Sequence, residues 1–161
     1  YPLATTVAGF NIDGMNVIGP MVDVSVTGSG YSSLEENLAR HAAMQNRTVS
    51  PDSSPEAGYY FRSDHFPLAK RGIPMLYADG GTSLRVGGAA AVEAASADYR
   101  VHRYHQADDE WSPNWNLEGM AEDIMLLYGI GNEIANSREW PTWNEGTEFR
   151  PIRDRTSARR H

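Results

Sequence analysis

The chain has 161 residues, 40% of them hydrophobic, and a formal net charge of −7 from 21 acidic and 14 basic side chains. That is enough apolar material for the core of one domain and argues against global disorder. The acidic balance speaks against nucleic acid or an anionic membrane as the main partner, because phosphate binding needs clustered Lys and Arg. With no cysteine present, disulfides and thiolate zinc sites are excluded, and any metal must be held by His, Asp and Glu.

The opening residues, YPLATTVAGFNID, read as the approach to a strand and not as a signal peptide. A chain that opens this way, without methionine, reads as part of a longer polypeptide. Residues 6–13 are predicted to form a buried strand with Asp13 at its C-terminal tip. Residues 21–28, MVDVSVTG, alternate apolar and polar, which predicts a half-exposed strand. Ser33 and Glu36 have capping-box spacing, and Leu34, Leu38 and Ala42 continue at helical period, so a helix is expected to about Asn46.

Residues 48–58, rich in Pro and Ser, read as a loop. Residues 59–74 are expected to run from a short extended piece into a brief helix, ended by Gly72 and Pro74. PMLYADG then reads as a short buried strand. Residues 80–103 hold many Gly and Ala and few large apolar side chains, which predicts a long surface excursion. Leu117, Met120, Ile124, Leu127 and Ile134 mark one face of a long helix capped by Asn116. Arg150, Arg153, Arg155, Arg159 and Arg160 close the chain and read as a solvated, partly frayed basic tail. No apolar run approaches the roughly 20 residues of a membrane span.

The intermixed strands and helices give an α/β class, in which function gathers at the C-terminal ends of strands. Asp13, the Arg62–His65 stretch and the loop bearing His105 are the candidates. An Asp at a strand tip and a His in a loop suit zinc. Tyr104 could donate a hydrogen bond to a developing oxyanion. Each also has an ordinary reading: Asp13 as a turn residue, Asp64 as a helix cap, His105 as a structural histidine. His41 and His102 have no evident partner.

The segments NIDGMNVIG, YYFRSDHFPLAKRGIPMLY, DYRVHRYHQADDEW and NLEGMAEDIMLLYGIGNEIANSREWPTWNEGTEF together resemble the C-terminal half of the M28 family of zinc peptidases. The likeness runs to about Arg153, and its specific parts are Ser-Asp-His-x-Pro and Arg-Tyr-His. It implies a three-layer sandwich with a mixed central sheet flanked by helices, residues 1–149 forming part of the peptidase domain and 150–161 a basic tail. It also implies two zinc ions, with Asp13 a ligand to one and His105 to the other. By the same resemblance, Tyr104 stabilises the tetrahedral intermediate and Asp64 and His65 line the site. Asp109 is expected to orient His105. Gln106-Ala107-Asp108-Asp109-Glu110 departs from the family's usual Gln-Pro-Ser-Asp-Glu.

The family's other zinc ligands and its general-base Glu precede the point matched by Tyr1. The expectation is therefore a fragment of a metallo-aminopeptidase or carboxypeptidase that is inactive alone, binding zinc weakly or not at all. Its partners would be a peptide substrate and either the N-terminal half or another copy of itself. The likeness to secreted and periplasmic bacterial members implies that localisation. Two alternatives remain: a one-zinc, glutaminyl-cyclase-like enzyme, and a non-catalytic peptidase-like binding or receptor module.

Overall fold

A computed structural model describes residues 2–160. Four strands form one mixed sheet: β1 (Gly9–Asn11), β2 (Asp23–Thr27), β3 (Thr48–Pro51) and β4 (Met75–Gly80), in the order β1-β4-β2-β3. β1 runs parallel to β4 in the register Gly9–Met75 to Asn11–Tyr77. β2 is parallel to β3 and antiparallel to β4, with Val24 opposite Val49 and Gly80. Six α-helices accompany the sheet: α1 (Leu34–Met44), α2 (Tyr59–Arg62), α3 (Phe66–Ala69), α4 (Gly88–His102), α5 (Glu118–Asn136) and α6 (Arg150–Asp154).

The period-two pattern of the strands sorts their side chains onto two unlike faces. Val24, Val26, Leu76 and Ala78 point to one face and pack against Leu34, Leu38 and Ala42 of α1 and Leu126, Leu127 and Ile130 of α5. Met75 belongs to the other layer, a smaller core with Tyr60, Ala69, Ile73, Trp143 and Phe149. Helices thus lie on both sides of the sheet, as a three-layer α/β sandwich requires. Among the described residues no helix is long and apolar enough to cross a membrane.

Several local expectations are corrected. Residues 48–51 are not loop but the edge strand β3, where Pro51 is tolerated because its missing N–H costs no ladder bond on the open side. β2 is more buried than a half-exposed strand, since Asp23 is also covered. The residues following Gly58, expected to be extended, form the short helix α2. Residues 88–102 form α4, although they do remain at the surface. That stretch is six parts Ala in fifteen, so it has high helix propensity but little apolar contrast to reveal the period.

Ser33 does not close a capping box with Glu36. Its Oγ instead accepts the Thr142 N–H at 3.0 Å, while the Glu35 carboxylate accepts N–H groups from Gly30, Tyr31 and Ser32. Asn116 falls one residue short of the cap expected of it: Leu117 caps α5, and Asn116 Oδ1 accepts the Glu118 N–H at 3.1 Å from just outside the helix. The buried face of α5, however, is rotated. Leu117 and Ile124 are 46% and 49% exposed, and Asp123, Leu126 and Ile130 occupy the interior in their place. Gly119 permits this close seating, because a Cβ there would lie 2.2 Å from both Asn16 Nδ2 and the Gly19 carbonyl oxygen.

The basic tail is not frayed. α6 carries Arg153 into the interior, where its Nη1 and Nη2 donate to the carbonyls of Thr6 and Val7 at 2.9 and 2.8 Å. Trp143 is fully buried, donates its Nε1–H to the Gly72 carbonyl at 2.9 Å and lies against Phe149. Removal from water drives the Arg153 guanidinium down to about 10, with the nearby Arg160 charge adding to the effect.

Candidate active site

β1 and β4 run side by side in the same direction, so their C-terminal ends open onto one cleft. Ile12, Asp13, Gly14 and Met15 form one side, Ala78, Asp79 and Gly80 another, and Asp123 and Leu127 of α5 contribute the third. Asp13 is exposed two residues beyond the end of β1, which is shorter and less buried than the strand expected over residues 6–13. Asp79 is the last residue but one of β4, and the strand-tip rule that selects Asp13 selects it equally well. Burial pushes the Asp79 carboxyl up to about 7, and the charges of Asp123, Asp13 and Asp52 add to the rise. Asp79 therefore carries a proton in neutral water part of the time, whereas an ordinary Asp does not.

Asp123 gives no sign in the sequence, lying between Glu122 and an exposed Ile124. It is buried beside the equally buried Arg47, whose Nη1 lies 2.7 Å from Asp123 Oδ1 in a buried ion pair. Arg47 also donates twice to the Asp23 carbonyl and once to Gln45 Oε1. Burial raises the Asp123 carboxyl above the usual range even though Arg47 opposes the shift. The turn after β4 is fixed from the same side: the Asp23 carboxylate accepts the N–H and Oγ1–H of Thr82, the N–H of Ser83 and the Oγ–H of Ser50. Burial alone would raise Asp23, but these donors outweigh it and hold the carboxyl below its ordinary value.

Tyr104 and His105 sit together beyond the end of α4, both exposed. Their rings stack at 3.9 Å between centroids with an interplanar angle of 22°. His105 has a φ of 58°, in the left-handed region that few non-glycine residues enter, and such strain clusters at functional positions. Asp109 does not bond to His105. Its Oδ2 accepts the Tyr99 hydroxyl at 2.8 Å, and the Tyr99 ring lies 5.8 Å from that of Tyr104. Any hold of Asp109 on His105 thus runs through two tyrosines. No hydrogen bond or ion pair joins Asp13 to His105 among the described residues.

Asp64 is exposed, but His65 is only 1% exposed, with its ring edge-on to Tyr60 at 4.6 Å and Tyr77 at 5.4 Å between centroids. Both its nitrogens lack a hydrogen-bond partner, and burial lowers its proton affinity despite the Asp64 charge. In this arrangement His65 does not line a solvent-filled cleft. His41 and His102, for which the sequence named no partner, both have one: distant Glu133 on α5 at 2.7 Å for His41, and Asp98 one turn earlier on the same helix at 3.1 Å for His102.

Zinc would need at least three protein ligands at one centre to be held as a catalytic ion. Among the described residues no three His, Cys, Asp or Glu side chains converge as a metal cage. Asp13 and His105 are chemically suited to zinc, but they do not by themselves make a complete site.

Residues 1–129 match the family model for peptidase family M28, four-fifths of the chain. No curated protein and no solved structure matches it. The four-stranded sheet, Asp13 and the Arg-Tyr-His tip all fall within the matched range, and the chain belongs to peptidase family M28.

Proposed function

We propose that this chain supplies part of a zinc-dependent exopeptidase centre that hydrolyses a terminal peptide bond. Asp13 and His105 are its contributions to a two-zinc site, one residue to each ion, and the remaining ligands and general base lie on polypeptide outside these residues. The observation that carries the reading is the family match over residues 1–129, which spans both the exposed strand-tip Asp13 and the strained Tyr104–His105 tip. A two-zinc centre supplies an activated water when complete. Within the chain, the Tyr104 hydroxyl would donate to the carbonyl oxygen as negative charge develops on it. Asp64, which is exposed, would face the substrate, while the buried His65 would keep Tyr77 in place. A secreted or periplasmic setting goes with the same reading.

Zinc binding tests the ligand account. The chain alone should retain well under one chelator-resistant zinc per molecule. Stoichiometric, tightly held zinc would overturn it. In a polypeptide that also carries the other ligands, His105→Ala should abolish zinc retention and peptide hydrolysis together. Tyr104→Phe should keep the zinc and lower turnover by roughly 10²–10³-fold, the effect of losing one oxyanion donor. Hydrolysis that survives His105→Ala would remove His105 from the centre.

A further inference from the structure

Tyr104 and His105 ride on a segment that the rest of the molecule scarcely touches. Across the 30 residues 86–115 not one is buried. The inner side of α4, made by Ala91, Val92, Ala95 and Ser96, is only half-covered, and three of those four side chains are too small to interlock with a neighbour. Apart from a pair of backbone bonds between Leu84 and Gly88, no hydrogen bond or ion pair links this segment to the remainder among the described residues.

Its internal bonding is dense by contrast. The Tyr104 N–H donates to the Tyr99 carbonyl at 2.8 Å, and Gln106 Nε2 donates to the Val101 carbonyl at 3.0 Å. The Tyr99 hydroxyl reaches Asp109, Arg103 and His102 both contact Asp98, and the Tyr99, Tyr104 and His105 rings follow one another. The tip is thus folded back onto the end of its own helix.

Both roots are fixed to the body. On the N-terminal side Arg85 donates its N–H to the Pro20 carbonyl at 2.9 Å and makes a two-pronged ion pair with Glu122. On the C-terminal side the Asn116 N–H donates to the Val17 carbonyl at 2.9 Å. Just inside the first root, Gly87 and Gly88 have φ values of 96° and 64°, so the chain turns there through backbone conformations that glycine enters at no steric cost.

We infer that residues 86–115 form a hinged arm that moves as one body about Gly87–Gly88 and the Ser112–Trp115 turn, and carries Tyr104 and His105 together toward or away from the Asp13 cleft. The physical basis is the contrast between bonding within the segment and bonding across its roots. Among the described residues no side chain of α4 belongs to either hydrophobic core, while the tip cannot change shape without breaking its own contacts. The inference does not require either residue to meet a metal. In whatever reaction the cleft supports, the arm sets the separation of Tyr104 and His105 from Asp13 in a single motion.

The absence of native cysteine allows clean spin-label pairs on the full chain. Asp108→Cys with Ala90→Cys measures tip against helix, Asp108→Cys with Glu36→Cys measures arm against body, and Glu36→Cys with Ala121→Cys measures the body alone. The arm-to-body distance distribution should be about twofold wider than the other two, as hinge motion of a rigid element requires. An arm-to-body distribution as narrow as that of the body would show the arm is fixed. A tip-to-helix distribution as wide as the arm-to-body one would show an unravelled segment, not a lever. Either result overturns the inference.

Discussion

The sheet with its helices and the segment 86–115 are built on opposite physical terms. In the first, apolar side chains from strands, α1 and α5 meet in a continuous core, and even the polar groups Asp23, Arg47 and Arg153 are buried with partners. In the second, a helix and its tip are held by local hydrogen bonds, ion pairs and ring contacts at the surface. An isolated helix of this length is marginal in water, so α4 depends on its Ala content and on Arg100 and His102 near its negative C-terminal end. The candidate site draws from both regions, with Asp13 on the fixed one and Tyr104 and His105 on the other. A site split in this way gains reach at the expense of fixed geometry.

The largest expected difference comes from truncating the same residue type in each region. Trp143→Ala removes a fully buried ring and its bond to Gly72, and should cost about 3–5 kcal/mol in urea denaturation. Trp111 is 71% exposed, and Trp111→Ala should stay within about 0.5 kcal/mol of the parent. Equal losses would mean that the segment shares the core's stability and that the division is wrong.

A somewhat smaller effect lies at the cleft and depends on pH. The Asp79 carboxyl is raised to about 7 in the folded chain from 3.8 for the unperturbed group. Between those values the folded state holds a proton that the unfolded state has released, so stability falls as pH rises from about 4 to about 7 and is level above that. The span is on the order of 4 kcal/mol at most, from the size of the shift. Asp79→Asn should flatten that slope and raise the urea midpoint at pH 8 relative to the parent. An unchanged slope would place Asp79 in water, and the cleft would then be more open than its lining indicates.

The sequence reveals the body better than the site. β4 and α1 are readable because apolar period and turn residues agree, as at Leu34, Leu38 and Ala42, with Gly72 and Pro74 before the strand. α5 is placed correctly but rotated, because the periodicity counts Leu117 and Ile124 as core and cannot see that Asp123 is buried against Arg47 from 76 positions upstream. The same blindness to distant partners hides Arg153, which looks like a solvated tail residue until Thr6 and Val7 present their carbonyls. α4 is missed for a different reason: a helix that buries nothing has no need of an apolar face and leaves no period to read. Of the site, Asp13 is suggested by its place at a strand end, but Tyr104 and His105 gain weight only through resemblance, since a lone His in a loop has no local signature. Asp79 was within reach, as the tip of a strand already identified.

The smallest effect is the most discriminating for the arm. Tyr99→Phe deletes one hydroxyl, and with it the 2.8 Å bond to Asp109 that closes the tip. The ring contact with Tyr104 survives, and the site is exposed, so global stability should shift by less than about 0.5 kcal/mol. Locally the change should be plain: amide exchange at Tyr104, Gln106 and Asp109, whose N–H groups bond to Tyr99, Arg103 and Gln106, should quicken while exchange in β4 and α5 stays as it was. If the unfolding free energy from urea denaturation instead drops by more than about 1 kcal/mol, the tip is coupled to the core. Tyr104 and His105 would then be held by the same packing that fixes Asp13.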